Sequence, residues 1–549
     1  MKRGHGDHRG TRGAAKRKRA QRGAFWAAVM AVVVVTIGMA APAQAQNERV
    51  AFEAANSMLA SWQMGEAEKA IAAFSTISNR APYLNYLEGR YAFYSGDYDE
   101  ALTKLDAAVE EVDRQDWQQF RDIVANTVEI TDGYERHVSP SGKFEIWVEP
   151  GPDEALIPYA IEALEEAYDE LGEILDYRPD EPVRVEVYPR ATILADVSML
   201  TEENIRTSGT IALCQYNRLM ITSPRGVLRG YSWVDTLIHE YIHLMINQRN
   251  VETVPIWMHE GLAKYLERRW RGDRESTLDA SSEHLLKKRL EDNNLVAFDD
   301  MHPSMAMLPS QEDAAVAFAQ VFTTMEYLEK QLGDDAFARL LDAVDEGLES
   351  REAYAHVLGT TWDEFENYRW RNYLHRRSTP DLPDDPDAIY QEEVVLQDEA
   401  GAAPSELDQV EKPEARKHME LGQMFQVRER WGAAAVQYGK AQALMGDANP
   451  VLQTRKAKSL TKSGNPERAV EILQTVKDLH PGHVATWREL GRAHLMAHEY
   501  SEAREALREA ARINPFDPEI HRMLARAADE LDLSDEAEVA RQSVDLVRR

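Results

Sequence analysis

Cysteine is nearly absent from this chain. Cys214 is the single cysteine in 549 residues, so no intrachain disulfide can form. A chain of this length can bury enough apolar surface in three or four domains to do without one. No base lies close to Cys214 in sequence, so it reads as a small buried apolar residue rather than a nucleophile. Positive charge is scarce too. Lys and Arg number 63 against 94 Asp and Glu, for a net charge of −31. Residues 1–23 hold nine Lys and Arg against one acid, Asp7, and the rest of the chain carries about −39. Such an acidic surface argues against nucleic acid and anionic membranes as partners. Long hydrophobic runs are also missing, with one exception at residues 24–41.

That exception has the form of an export signal. A basic stretch precedes the apolar run, and Ala43-Gln44-Ala45 fits a small-residue cleavage site. Residues 1–45 are therefore expected to be a signal peptide and the remainder to be exported, to a bacterial periplasm. The alternative is an uncleaved anchor, since 18 residues just span a bilayer, and membrane attachment is expected only in that case. No cysteine follows the run to carry a lipoprotein anchor.

Repeats occupy both ends. Gly422, Ala457, Gly491 and Ala525 fall 35, 34 and 34 residues apart, and Ala434, Ala469, Ala503 and Ala537 follow each by twelve. Pro481 and Pro515 keep the same phase. Small residues at this spacing let two antiparallel helices cross closely. Trp487-Arg488-Glu489-Leu490-Gly491 resembles the start of a tetratricopeptide unit, and residues 413–549 resemble a run of such repeats. Gly65 to Ala70 matches Gly96 to Ala101 at an offset of 31. Residues 47–135 accordingly read as two or three shorter helical hairpins, with Tyr91, Tyr94 and Tyr98 as core. Residues 378–412 contain Pro380, Pro383 and Pro386 among many acids, the composition of a linker that lets its neighbours move independently.

The chemistry lies between the repeats. His239-Glu240-Tyr241-Ile242-His243 sits in an apolar, helix-periodic run. Residues four apart share one helical face, so His239 and His243 can aim two imidazoles at one metal ion. Glu240 is placed to act on a water beside it. Seventeen residues after His243, Glu260 lies in Trp257-Met258-His259-Glu260-Gly261-Leu262-Ala263, on a second helix that a short reversal folds back. Two histidines, one carboxylate and an open position make a catalytic zinc site. His259 projects about 100° from Glu260 and reads as no ligand. Glu252 falls in the turn, and Glu267 lies two turns beyond Glu260, too far along the axis to replace it. Ser232 and Asp235 have the spacing of a capping box. Asp235, one turn before His239, is also a candidate for orienting it.

These residues resemble the gluzincin branch of the zincin metallopeptidases, and more closely the peptidase MA-like proteins with their Trp-x-x-Glu-Gly-x-Ala run. The resemblance covers residues from about 140 to about 375, within an expected domain of residues 138–377. It implies an α+β zincin-like metallopeptidase domain flanked by all-α tetratricopeptide-repeat solenoids. It implies His239, His243 and Glu260 as Zn2+ ligands and Glu240 as general base. The chain departs from the family in two places. Lys264 stands where an Asp would back the first histidine, and Ala317 to Gln320 lacks the downstream Tyr. Tyr327 is the remaining candidate for stabilising an oxyanion. Strand patterns at Lys143–Val148, Val183–Tyr188 and Arg218–Ser223 precede the motif helix, the last placed to be the edge along which substrate extends.

The expected function is that of an exported zinc-dependent endopeptidase whose repeats recruit protein substrates or partners. The alternative is a repeat scaffold of the cell envelope carrying an inactive metallopeptidase-like module.

Overall fold

The computed structural model describes residues 41–250, 254–272, 277–302, 304–305, 308–377, 396, 407, 410 and 412–548. The basic stretch and nearly all of the apolar run, Glu252 and most of the 378–412 segment lie outside these residues. Among the described residues no helix is long and apolar enough to cross a membrane.

Five helices open the described chain: α1 (Ala41–Ala60), α2 (Met64–Ile77), α3 (Ala81–Tyr94), α4 (Tyr98–Glu111) and α5 (Gln115–Thr131). They form two hairpins and a closing helix, as the 31-residue offset implies. Gly89 on α3 shows why small residues recur: a Cβ there would lie 2.8 Å from Leu105 of α4.

A five-stranded sheet follows, ordered β1-β2-β3-β5-β4. Its strands are β1 (Glu135–Val138), β2 (Phe144–Val148), β3 (Val183–Tyr188), β4 (Ala212–Gln215) and β5 (Arg218–Thr222). β2, β3 and β5 run parallel, and β1 and β4 pair antiparallel at the two edges. The strand expected to be the cleft edge, Arg218 to Thr222, is thus internal, and every residue of it is buried. The edge is β4. Its four residues are too short for an alternating pattern to reveal them.

One sheet face packs Ile146, Val185, Leu219 and Ile221 against α6 (Ile157–Ile174) and α9 (Trp233–Arg249). The other packs Tyr188 and Met220 against the short helices α7 (Ile193–Asp196) and α8 (Glu202–Ser208). The N-terminal hairpins dock on this second face through charge. Glu186 is wholly buried and accepts from Arg184 Nε at 2.6 Å and from the Tyr188 hydroxyl at 2.6 Å. Arg218 Nε pairs with it at 3.0 Å, and the Tyr98 hydroxyl of α4 donates to it. The Arg218 guanidinium also lies over the rings of Phe93 and Tyr98.

The β4–β5 turn is a two-residue hairpin with Tyr216 and Asn217 at φ 55° and 62°, the left-handed pair that matches strand twist. Tyr216 packs on Phe93, Tyr94 and Phe120 of the hairpins. Gln248 Nε2, near the end of α9, donates to Asn217 at 2.7 Å. The edge strand is therefore held from both sides.

After α9 the chain builds a helical layer: α10 (Ile256–Leu266), α11 (Ala280–Glu291), α12 (Gln311–Leu332), α13 (Ala336–Asp345) and α14 (Ser350–Leu358). α15 (Trp362–Glu364) continues through a π turn at Phe365–Trp370 into α16 (Arg371–Arg376). Gly261 of α10 admits α12 closely, since a Cβ there would stand 3.1 Å from the Val321 carbonyl.

The C-terminal repeats are eight helices: α17 (Pro413–Val427), α18 (Trp431–Met445), α19 (Pro450–Lys462), α20 (Pro466–Leu479), α21 (Val484–Met496), α22 (Tyr500–Ile513), α23 (Pro518–Glu530) and α24 (Ser534–Leu546). Ala434, Ala469, Ala503 and Ala537 are all fully buried. A Cβ on Gly491 would meet Leu507 at 2.5 Å, so the repeated small positions are the helix crossings.

These repeats do not stand apart, contrary to the independence expected from the linker. Leu507, Ala511, Ile520 and Leu524 belong to the same apolar core as Trp233 and Tyr159. Arg512 pairs with Glu162 of α6 at 3.1 Å, and Arg271 pairs with Glu509. Trp270 lies between the guanidinium groups of Arg271 and Arg512, each 4.8 Å from its ring. The independence of a linked domain depends on the surface it presents, and here that surface is apolar and charge-matched.

Candidate metal centre

α9 and α10 bring the motif together. α9 is apolar on nearly all sides because it lies between the sheet and α10, and twelve of its 17 residues are buried. Two of its polar residues, His239 and His243, face Glu260 of α10. His239 and His243 rings lie 4.7 Å apart at 89°. His239 Nε2 is 3.2 Å from Glu260 Oε2, and His243 Nε2 is 3.6 Å from the same oxygen. Among the described residues His239, His243 and Glu260 are the cluster able to hold a metal ion, with donor atoms within 4.8 Å of one another. Donors at about 2.0–2.1 Å in tetrahedral array lie roughly 3.3 Å apart, so the spacing suits zinc. Two imidazoles and one carboxylate also match the donor chemistry of a catalytic site with one position left open.

Glu240 is buried beside this group. Burial pushes its carboxyl above the usual range, Glu260 adds to that, and His243 and His239 oppose it, as does the backbone amide of Cys214. That amide belongs to β4, so the edge strand runs past the carboxylate. Cys214 itself is half-buried on this strand, and burial pushes its thiol well up. This matches an inert side chain rather than a nucleophile.

Two of the other sequence candidates lie elsewhere. Asp235 does not reach His239. Arg271 Nη2 donates to it at 2.7 Å and Arg268 Nε lies 3.7 Å away, so two cations from the segment just after α10 hold it. Ser232 precedes α9 without a side-chain cap, so the capping box is not formed. Tyr327 is on the side of α12 away from α10. Met325 touches Gly261, whereas Tyr327 packs on Phe365 and Tyr373. Two positions along a helix turn the side chain about 200°, which removes Tyr327 from the cleft.

Sequence reasoning missed two contacts. His259 is buried with Nδ1 3.2 Å from His243 Nδ1, and burial, aided by His243, drives its pKa down to about 3. Glu267 Oε2 lies 3.0 Å from His239 Nδ1. Glu267 read as too remote from Glu260 to share the site. It meets the other edge of the same imidazole instead, which spacing along one helix does not reveal.

Comparison with known proteins agrees with this organisation. Residues 163–376 match the family model of the Peptidase MA superfamily. Residues 460–527 match a tetratricopeptide-repeat model. No curated protein matches the chain. Similar solved structures include the Sgt2 TPR domain from Aspergillus fumigatus, 21% identical over 24% of this chain and 87% of that one, with a TM-score of 0.22. MamA from Desulfovibrio magneticus RS-1 is 19% identical over 26% and 82%, with a TM-score of 0.23. Native yeast LTA4 hydrolase is 12% identical over 75% of this chain and 66% of its own, with a TM-score of 0.28. Residues 163–376 are thus a domain of the peptidase MA superfamily, joined to C-terminal tetratricopeptide repeats.

Proposed function

We propose that this protein is a zinc-dependent endopeptidase. The observation that carries the reading is the convergence of His239, His243 and Glu260, their donor atoms within 4.8 Å of one another, with Glu240 buried alongside. These three side chains would hold the ion, which when bound acidifies a water and polarises the scissile carbonyl. Glu240 takes the proton of the attacking water on a carboxylate oxygen and later gives it to the leaving amine. β4 is an edge of the sheet and runs past Glu240, so an extended peptide can pair along it and present its carbonyl to the centre.

The tetratricopeptide repeats bring protein substrates or partners to the cleft, and residues 1–45 direct export to the periplasm. N-terminal sequencing of the mature chain from the cell envelope tests the second point, with an intact Met1 counting against cleavage. The activity is tested by zinc analysis and peptide turnover of the purified protein beside Glu240→Gln. The variant should keep about one zinc per chain and lose about 10²–10⁴-fold in turnover. Equal turnover by the two proteins refutes the assignment.

A further inference from the structure

The chain is strongly acidic, yet one side of its C-terminal repeats is basic. The first helices of the last three repeats, α19, α21 and α23, hold eight Lys and Arg against four acids, whereas the second helices α20, α22 and α24 hold six against ten. Lys458, Arg492 and Arg526 stand 34 residues apart, at one position of three consecutive repeats, and Arg488 and Arg522 share a second position. Equal positions of a repeat line up across the array. The first helices lie side by side, with the Thr454 and Thr486 hydroxyls 3.1 Å apart and Arg492 Nη1 donating to Glu519 at 2.8 Å. The five cations therefore form two rows across α19, α21 and α23. Lys458 is also close enough to Glu519, two helices away, to help hold that carboxyl down to about 2; the bond from Arg492 is the main cause, Arg488 adds to it, and burial opposes it. Such reach across α21 fits the concave side of the array. Arg488 and Arg492 are held in place by Glu489, Asp517 and Glu519. Lys462, Arg522 and Arg526 are exposed and Lys458 is half-buried, and none of the four is in an ion pair among the described residues.

We infer that this inner face binds an extended acidic polypeptide segment with carboxylates at every third residue. Packed helices lie about 8–10 Å apart. An extended chain with three residues per turn rises about 3.1 Å per residue. Three residues of such a chain span one helix, so its side chains at i, i+3 and i+6 meet Lys458, Arg492 and Arg526 in turn. A bilayer surface is too flat to enter a concave array. A long nucleic acid would press its phosphates on the acidic remainder of the chain. The arm is fixed to the metallopeptidase domain through Arg512 with Glu162 and Arg271 with Glu509, so a bound segment is held at a set place relative to the metal cluster. The inference rests on the reading of the repeats as the recruiting module and adds the chemistry of what they recruit. It does not depend on zinc.

Fluorescence anisotropy on the full chain tests it, with labelled peptides of five Glu-Pro-Ser, Gln-Pro-Ser or Lys-Pro-Ser units. The Glu peptide should bind at least tenfold tighter than the other two, and its affinity should fall as salt rises. Arg522→Glu with Arg526→Glu should weaken it about tenfold or more, by replacing attraction with repulsion. Lys440→Glu on the second helix α18, a change of the same sign away from the rows, should alter it less than twofold. All three side chains are exposed, so these variants keep the fold, which circular dichroism verifies. A Glu peptide that binds no tighter than the Gln peptide overturns the inference, as does affinity within twofold of wild type in the double variant. An oligothymidylate of equal charge that binds as tightly as the Glu peptide overturns the assignment to polypeptide. Glu240→Gln should bind the Glu peptide like wild type. Binding of the Glu peptide by a protein that turns over no peptide sinks the peptidase reading and leaves this one standing.

Discussion

The Glu186 network makes a demanding prediction about how the N-terminal hairpins are held. Glu186 has no exposed surface, and it answers two guanidinium groups and two hydroxyls at once. Glu186→Gln keeps the shape and removes the charge. Arg218, whose side chain is only 2% exposed, then loses its counter-ion. Breaking a buried pair from one side costs about 3–5 kcal/mol, because the remaining charge cannot return to water. At about 2–4 °C per kcal/mol for a cooperative unit of 150–250 residues, the melting temperature should fall by roughly 6–20 °C. The effect also has a pH signature. Burial alone would raise the Glu186 carboxyl, but Arg218 and Arg184, with the Tyr188 and Tyr98 hydroxyls, bring it below its ordinary value of 4.5. Its contribution is therefore complete above about pH 4.5 and is lost as the pH falls through the lower folded value. The glutamine variant has no such step. Melting curves of the two proteins should be far apart near pH 7 and draw together as the pH falls below about 4.5 and through the lower folded value. A variant that melts within about 1 °C of wild type at neutral pH would show that the pair is not what docks the hairpins.

Other consequences are as direct. His243→Ala should leave less than stoichiometric zinc after dialysis, since two donors do not retain the ion, and full retention by metal analysis would move the site elsewhere. A chain ending at Arg377 should unfold at lower denaturant than the full chain, or aggregate, because it uncovers Trp233, Trp270 and Tyr159 where α22 and α23 pack; unchanged urea midpoints would mean that the repeats only rest on the domain. Tyr327→Phe should change peptide turnover less than twofold, its ring being stacked on Phe365 and Tyr373; a hundredfold loss would restore it to the chemistry. Tyr216→Ala frees the tip that ties β4 to the hairpins and should raise KM for extended peptides more than it lowers kcat, a split visible in steady-state kinetics.

Some of this molecule is determined by local sequence alone. Two histidines four apart must share a helical face, whatever surrounds them. The Trp257 to Ala263 run and the 34-residue recurrence of small residues work the same way, since helical geometry converts spacing into facing sides. The convergence of His239, His243 and Glu260 and the repeat crossings, such as Gly491 against Leu507, were therefore legible before any fold was known. Contacts made across elements were not. Asp235 had the spacing to back His239, yet Arg271, 36 residues away, holds it. Glu267 seemed too far from Glu260, yet it reaches His239 because the crossing of α9 and α10 puts the imidazole between the two carboxylates. The order of β4 and β5 decides which strand is the edge, and four residues of β4 carry too little pattern to announce it. The composition of 378–412 suggested freedom for the C-terminal repeats, but Arg508 and Arg512 meet Glu162 more than three hundred residues away. Spacing along a chain fixes direction within one element. Which elements face one another, and at what angle, is settled by the burial of whole apolar faces, and that choice assigns each charged group its partner.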